Sequence, residues 1–101
     1  MAQGGTGLSA IPQIALVGCG YWGKNLCRNF FALDALKSVV DATENGQTTA
    51  RSFAPYTQIT DSMDDVLRND QIQGVALATP AETHADLAIQ AMQAGKDVFV
   101  E

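Results

Sequence analysis

The stretch "IALVGCGYWGKN", residues 14–25, decides how the rest of the chain is read. Four apolar residues, Ile14 to Val17, suit a strand. They run into Gly18, Cys19, Gly20, Tyr21, Trp22 and Gly23, a G-x-G-x-x-G. Behind it Leu26, Phe30 and Leu33 recur at i, i+4 and i+7, the stripe of an amphipathic helix, which Cys27 and Phe31 widen. Alone the glycine pattern is weak. Between a strand and a helix it has a mechanism. Gly18 permits a tight turn, Gly20 lets backbone approach a diphosphate with no Cβ in the way, and Gly23 lets the helix lie close on the strand. The N–H groups that open the helix then face the phosphates, helped by the helix dipole. The competing reading is a glycine-rich turn that binds nothing.

Outward from this unit, strands and helices alternate. Apolar runs at 38–40, 74–78 and 98–100 suit strands, and 58–60 is a weaker one. None alternates with polar residues, so they read as strands covered on both faces of a parallel sheet. Helices are expected at 21–33, 44–53, 62–69 and 83–94. Gly46 and two threonines weaken the second. Asp61 or Ser62 is the expected cap of the third. In the fourth, Leu87, Ala88, Ala91 and Met92 line one side, Thr83 caps the start and Gly95 follows the end. The order βαβαβαβαβ implies right-handed crossovers and an α/β fold, a doubly wound parallel sheet with strand order 3-2-1-4-5.

Two further motifs fall at strand ends. In "KSVVDA", residues 37–42, Asp41 closes the second strand about twenty residues after Gly18. A carboxylate there accepts from the hydroxyls of an adenosine ribose and repels a 2′-phosphate. No Arg or Lys follows directly, so NAD is expected over NADP. The other reading of Asp41 is a solvated strand end. In "ALATPAETH", residues 76–84, a strand runs into Thr79 and Pro80 and a helix begins near Thr83. In the expected strand order this junction lies beside the glycine loop, at the topological switch point. His84 is the single histidine. A helix N-terminus disfavours imidazolium, so it reads as a structural, hydrogen-bonding residue rather than an acid or base. Tyr21 and Trp22 either touch the cofactor or substrate, or pack against the sheet edge or a missing neighbour. Cys19 reads as a small space-filler, and Asp64 and Asp65 as solvated surface.

Composition bounds the function classes. The chain has 101 residues, 47% of them hydrophobic and 17% charged, with a formal net charge of −5. Its six Lys and Arg residues are scattered, with no basic stripe for a nucleic acid or an anionic membrane. No apolar run approaches a membrane span of about 20 residues. Residues 1–12, "MAQGGTGLSAIP", lack the basic and apolar segments of a secretory signal and read as a flexible tail ahead of one domain at 13–101. Two cysteines make neither a disulfide framework nor a zinc site, and the expected compartment is the cytoplasm.

Taken in order, "VGCGYWGKN", "VVDA" and "ATPAETHADLAIQAMQAGKDVFVE" resemble the Gfo/Idh/MocA oxidoreductases over residues 13–101. The Tyr21–Trp22 loop looks most like the branch that oxidises UDP-linked amino-sugar uronates at C3. The resemblance implies a Rossmann domain that binds NAD, followed by a second α/β domain carrying much of the substrate site and the oligomer contacts. It implies that Gly18, Gly20, Tyr21, Trp22 and Gly23 hold the diphosphate and Asp41 the adenosine ribose. Thr79, Pro80 and His84 would neighbour the nicotinamide half, with Glu101 near its ribose. Glu101 matches the first residue of a Glu-Lys-Pro motif whose lysine helps proton transfer. The chain is therefore expected to hold the cofactor part of a sugar or nucleotide-sugar dehydrogenase and to be inactive alone. Two other readings stay open: a stand-alone dinucleotide-binding or sensor module, and a methyltransferase whose loop would read G-x-G-x-G.

Overall fold

The computed structural model describes residues 11–100. Residues 1–10, most of the segment 1–12 expected as a tail, and Glu101 lie outside the described residues. Among the described residues, five strands and four helices alternate: β1 (Ile14–Val17), α1 (Gly23–Ala32), β2 (Leu36–Val40), α2 (Glu44–Phe53), β3 (Gln58–Thr60), α3 (Met63–Leu67), β4 (Gly74–Leu77), α4 (His84–Gln93) and β5 (Asp97–Val100). A 3₁₀ turn, Ala81–Thr83, leads into α4. The strands form one all-parallel sheet in the order β3-β2-β1-β4-β5, the expected 3-2-1-4-5.

The two faces of the sheet carry separate cores. Ala15, Val17, Val75 and Leu77 point to α3 and α4, where Val66, Ile72 and Ala91 meet them. Leu16, Val39 and Ala76 point the other way, toward α1 and α2, and pack with Cys19, Cys27 and Ala50. β1, β2 and β4 are buried along almost their whole length, which is why their sequences are continuously apolar. β3 and β5 are edge strands and stay largely open, contrary to the expectation of full cover.

Several boundaries differ from the sequence reading. Helix α1 starts at Gly23, because Tyr21 and Trp22 form a turn. Leu33, the third residue of its stripe, is 65% exposed, since α1 ends one residue earlier at Ala32. Met92 is likewise outside the core at 59% exposure, so the buried line of α4 is Leu87, Ala88 and Ala91. Ser62 occupies the cap position of α3 without a side-chain bond. Thr83 does not cap α4 either: its hydroxyl donates to the Pro80 carbonyl at 2.7 Å.

The end of α4 is as read. Gly95 has φ +79°, the left-handed conformation that suits glycine after a helix. Its N–H reaches the Met92 carbonyl, and the Lys96 N–H reaches that of Ala91. This Schellman closure turns the chain straight into β5.

Candidate functional site

Parallel register brings the three motifs to one edge of the sheet. Val17 is level with Val40 on one side and with Leu77 on the other. Gly18, Asp41 and Ala78 therefore emerge together. The Gly18 N–H donates to the Val40 carbonyl and the Ala78 N–H to that of Val17, each at 2.8 Å. Strand order reverses between β1 and β4, so a crevice opens at the carboxyl ends of the strands.

Each glycine of the loop has a different physical reason. Gly18 has φ +95°, and a Cβ there would come within 2.9 Å of the Thr79 Cγ2 and 3.0 Å of the Ala78 carbonyl carbon. The first motif thus rests directly on the third. At Gly23 a Cβ would overlap the Gly18 carbonyl, so the missing side chain lets α1 start against the loop. Gly20 is unlike both. It is exposed, its φ lies outside the left-handed range, and a Cβ would meet nothing within 4 Å. No contact within the described residues requires glycine here. The open space fits a bulky group lying against the backbone, which is where a dinucleotide's diphosphate belongs. Helix α1 has no side-chain cap and no acid in its first turn. Its Lys24 and Asn25 N–H groups already reach the Gly20 and Trp22 carbonyls at 3.1 and 3.2 Å, so an anion here would meet the N–H groups ahead of them.

Asp41 is turned inward. Its Oδ2 accepts the Cys19 N–H at 2.8 Å, tying the end of β2 to the glycine loop. Its Oδ1 accepts the Thr43 N–H at 2.8 Å and the Thr43 hydroxyl at 2.7 Å. Burial pushes the carboxyl up, but these three hydrogen bonds outweigh it and hold Asp41 below the usual carboxylate range. The charge is therefore kept. Oδ1 already holds two donors and Oδ2 one, so one acceptor position stays open, on Oδ2, enough for one ribose hydroxyl rather than both.

The remaining residues fall as follows. Tyr21 and Trp22 are 73% and 64% exposed and meet edge to face, with ring centroids 5.1 Å apart. They do not pack on the sheet. Lys24 Nζ stands 5.1 Å from the centre of the Tyr21 ring. Thr79 and Thr83 share a hydroxyl–hydroxyl bond of 2.7 Å, and Pro80 is exposed beside them. His84 Nε2 lies 2.7 Å from the Thr79 carbonyl oxygen, so the ring fastens α4 to the strand end. That matches the structural reading of this histidine. Cys19 is fully buried and packs in one core cluster with Cys27, both as free thiols. The neighbouring Cys27 thiol, burial and the nearby Asp41 charge drive the Cys19 thiol upward, so it stays protonated and fills space. Glu101 is outside the described residues.

The sequence reading gives Thr43 no role and takes Gly46 only as a residue that weakens α2. Thr43 caps α2, its hydroxyl accepting the Gly46 N–H at 3.0 Å. A threonine just before a helical stretch is the signal that could have found it. Nothing local marks Gly46.

Comparison with known proteins agrees with this geometry. Residues 13–101 match the family model described as "Oxidoreductase family, NAD-binding Rossmann fold". A 4-carboxy-2-hydroxymuconate-6-semialdehyde dehydrogenase of Sphingobium is 32% identical over 91 residues, covering 88% of this chain and 29% of that protein. A glycosyl hydrolase family 109 protein of Shewanella pealeana is 30% identical over 100 residues, covering 88% and 22%. The chain thus spans about a quarter of the length of these relatives. Among solved structures, the WlbA dehydrogenase of Bordetella pertussis, in complex with NADH and UDP-GlcNAcA, superposes with a TM-score of 0.75 at 28% identity, covering 87% of this chain and 28% of that one. With the match running over residues 13–101, the chain belongs to the Gfo/Idh/MocA oxidoreductase family as its NAD-binding Rossmann domain.

Proposed function

We propose that this chain is the cofactor-holding part of an NAD-dependent dehydrogenase that acts on a sugar hydroxyl, with a nucleotide-linked sugar as substrate. The observation that carries the reading is the open space at Gly20, set between an uncapped helix start and the retained charge of Asp41. The glycine loop and the first turn of α1 hold the diphosphate through backbone N–H groups. Asp41 accepts from the adenosine ribose through its free Oδ2 position. Thr79, Pro80 and His84 border the nicotinamide half. Bound NAD supplies the hydride acceptor. The similarity to WlbA and the exposed Tyr21–Trp22 pair favour a nucleotide sugar over a free one.

Proton transfer is the part these residues do not supply. His84 is engaged with the Thr79 carbonyl, and Asp41 is held by its three donors at the adenosine end. The proton acceptor therefore belongs to the longer part that the relatives possess. That the same quarter is shared with a dehydrogenase and a glycosyl hydrolase fits a cofactor holder that leaves the net reaction to be set elsewhere.

Fluorescence titration with NADH tests this reading. NADH binds and S-adenosylmethionine does not; the reverse result overturns the dinucleotide assignment. Gly20→Ala weakens NADH by about tenfold or more, the loss of one charged-group hydrogen bond, without lowering the midpoint of thermal unfolding. Gly23→Ala lowers that midpoint, because its Cβ would overlap the Gly18 carbonyl. The 101-residue chain turns over no UDP-linked sugar with NAD, and measurable turnover would overturn the reading that these residues lack the proton acceptor.

A further inference from the structure

Gly46 sits inside a helix, where glycine costs about 1 kcal/mol relative to alanine. It is buried, and a Cβ built on it would overlap the Asp41 carboxylate, reaching both oxygens and Cγ. The carboxylate therefore lies in the space that a side chain at position 46 would fill. Around this seat the hydrogen bonds close a ring. Cys19 and Thr43 donate to the two carboxylate oxygens, the Thr43 hydroxyl accepts from the Gly46 N–H, and Gln47 Nε2 donates to the Asp41 carbonyl at 2.8 Å. The first turn of α2, the end of β2 and the glycine loop are joined through one side chain.

We propose that Gly46 is a positioning residue of the dinucleotide site: its missing side chain seats the Asp41 carboxylate against the Cys19 N–H, and so fixes the acceptor offered to the adenosine ribose. The inference rests on the reading that Asp41 faces that ribose. It also explains why a poor helix former stands in α2. The displaced atoms are the far end of a flexible side chain, so Gly46→Ala leaves the fold intact. The carboxylate swings out and loses its bond to the loop.

The test pairs two ligands with two backgrounds. NADH and its 2′-deoxyadenosine analogue are titrated into the 101-residue chain and into Gly46→Ala, Asp41→Ala and the double variant. The unaltered chain prefers NADH by about tenfold, the worth of a hydrogen bond to a charged group. Gly46→Ala binds NADH more weakly and loses that preference, as Asp41→Ala does, and the double variant is no worse than Asp41→Ala. A merely structural role would weaken both ligands equally and keep the preference, which overturns the proposal. Thermal midpoints give an independent reading. Gly46→Ala lowers the midpoint when Asp41 is present and does not when position 41 is alanine, where only the gain in helix propensity remains. Equal shifts in the two backgrounds would sink the seat. If the unaltered chain binds neither ligand, the cofactor reading fails, and the midpoints still decide whether Gly46 seats Asp41.

Discussion

Asp41 shows how much one carboxylate is asked to do at the end of a strand. Burial opposes its charge, and three donors from Cys19 and Thr43 overcome that opposition. A carboxyl held low in the folded state stabilises the fold above its unfolded value, about pH 4 for aspartate. That contribution is lost as pH falls through the lower folded value. The stability difference between the chain and Asp41→Asn, measured by urea denaturation, is accordingly constant near neutrality and shrinks below about pH 4. A difference that grows on acidification would contradict the hydrogen-bond account. At this scale the glycines and Asp41 were legible, because strand, loop and helix are consecutive and their spacing is the signal. Gly46 was not legible. Its reason is a carboxylate five residues earlier that turns back only once β2 and α2 are packed.

At the scale of elements, the type of every strand and helix was readable from apolar runs and stripes, while ends and caps were less so. Caps depend on where a hydroxyl finds its nearest partner, and Thr83 found the Pro80 carbonyl and the Thr79 hydroxyl instead of its own helix. Lys96 is a second case. The sequence places it in the turn before β5, yet it is only 8% exposed, and its Nζ donates to the carbonyls of Asn69 and Ile72 at 2.7 and 2.8 Å. It thereby pins the loop after α3 to the start of β5. Lys96→Met keeps the stem and leaves both carbonyls without this donor. The expected cost is about 1–3 kcal/mol in a denaturant titration, and a loss below about 0.5 kcal/mol would mean water replaces the ammonium.

For the whole molecule, the two faces of the sheet are unequally covered. On the α1 side, a groove of about 480 Å³ runs over β4 and β5, bordered by Leu26, Phe30, Leu33, Ala76 and Phe99. Leu33 and Phe99 are more than half exposed there. A continuous apolar surface of this kind takes up apolar probes and promotes self-association. The double substitution Leu33→Gln, Phe99→Thr is expected to lower the binding of an apolar dye and the light scattering of concentrated solutions, with little change in unfolding midpoint. Undiminished dye binding would place the sticky surface elsewhere. The sequence could not foresee this groove, since Leu33 and Phe99 have the same apolar character as the residues that are buried.

The position of β1 at the centre of the sheet also sets an order of assembly. The bond from Cys19 to Asp41 closes a loop of 22 residues, and that from Gln13 to the Gln73 side chain one of 60. Shorter loops cost less entropy to close and are met sooner by a searching chain. The glycine loop and its carboxylate can therefore come together while β4 is still unattached. The contact of Gly18 with Thr79, which completes the crevice, arrives only with the longer closure.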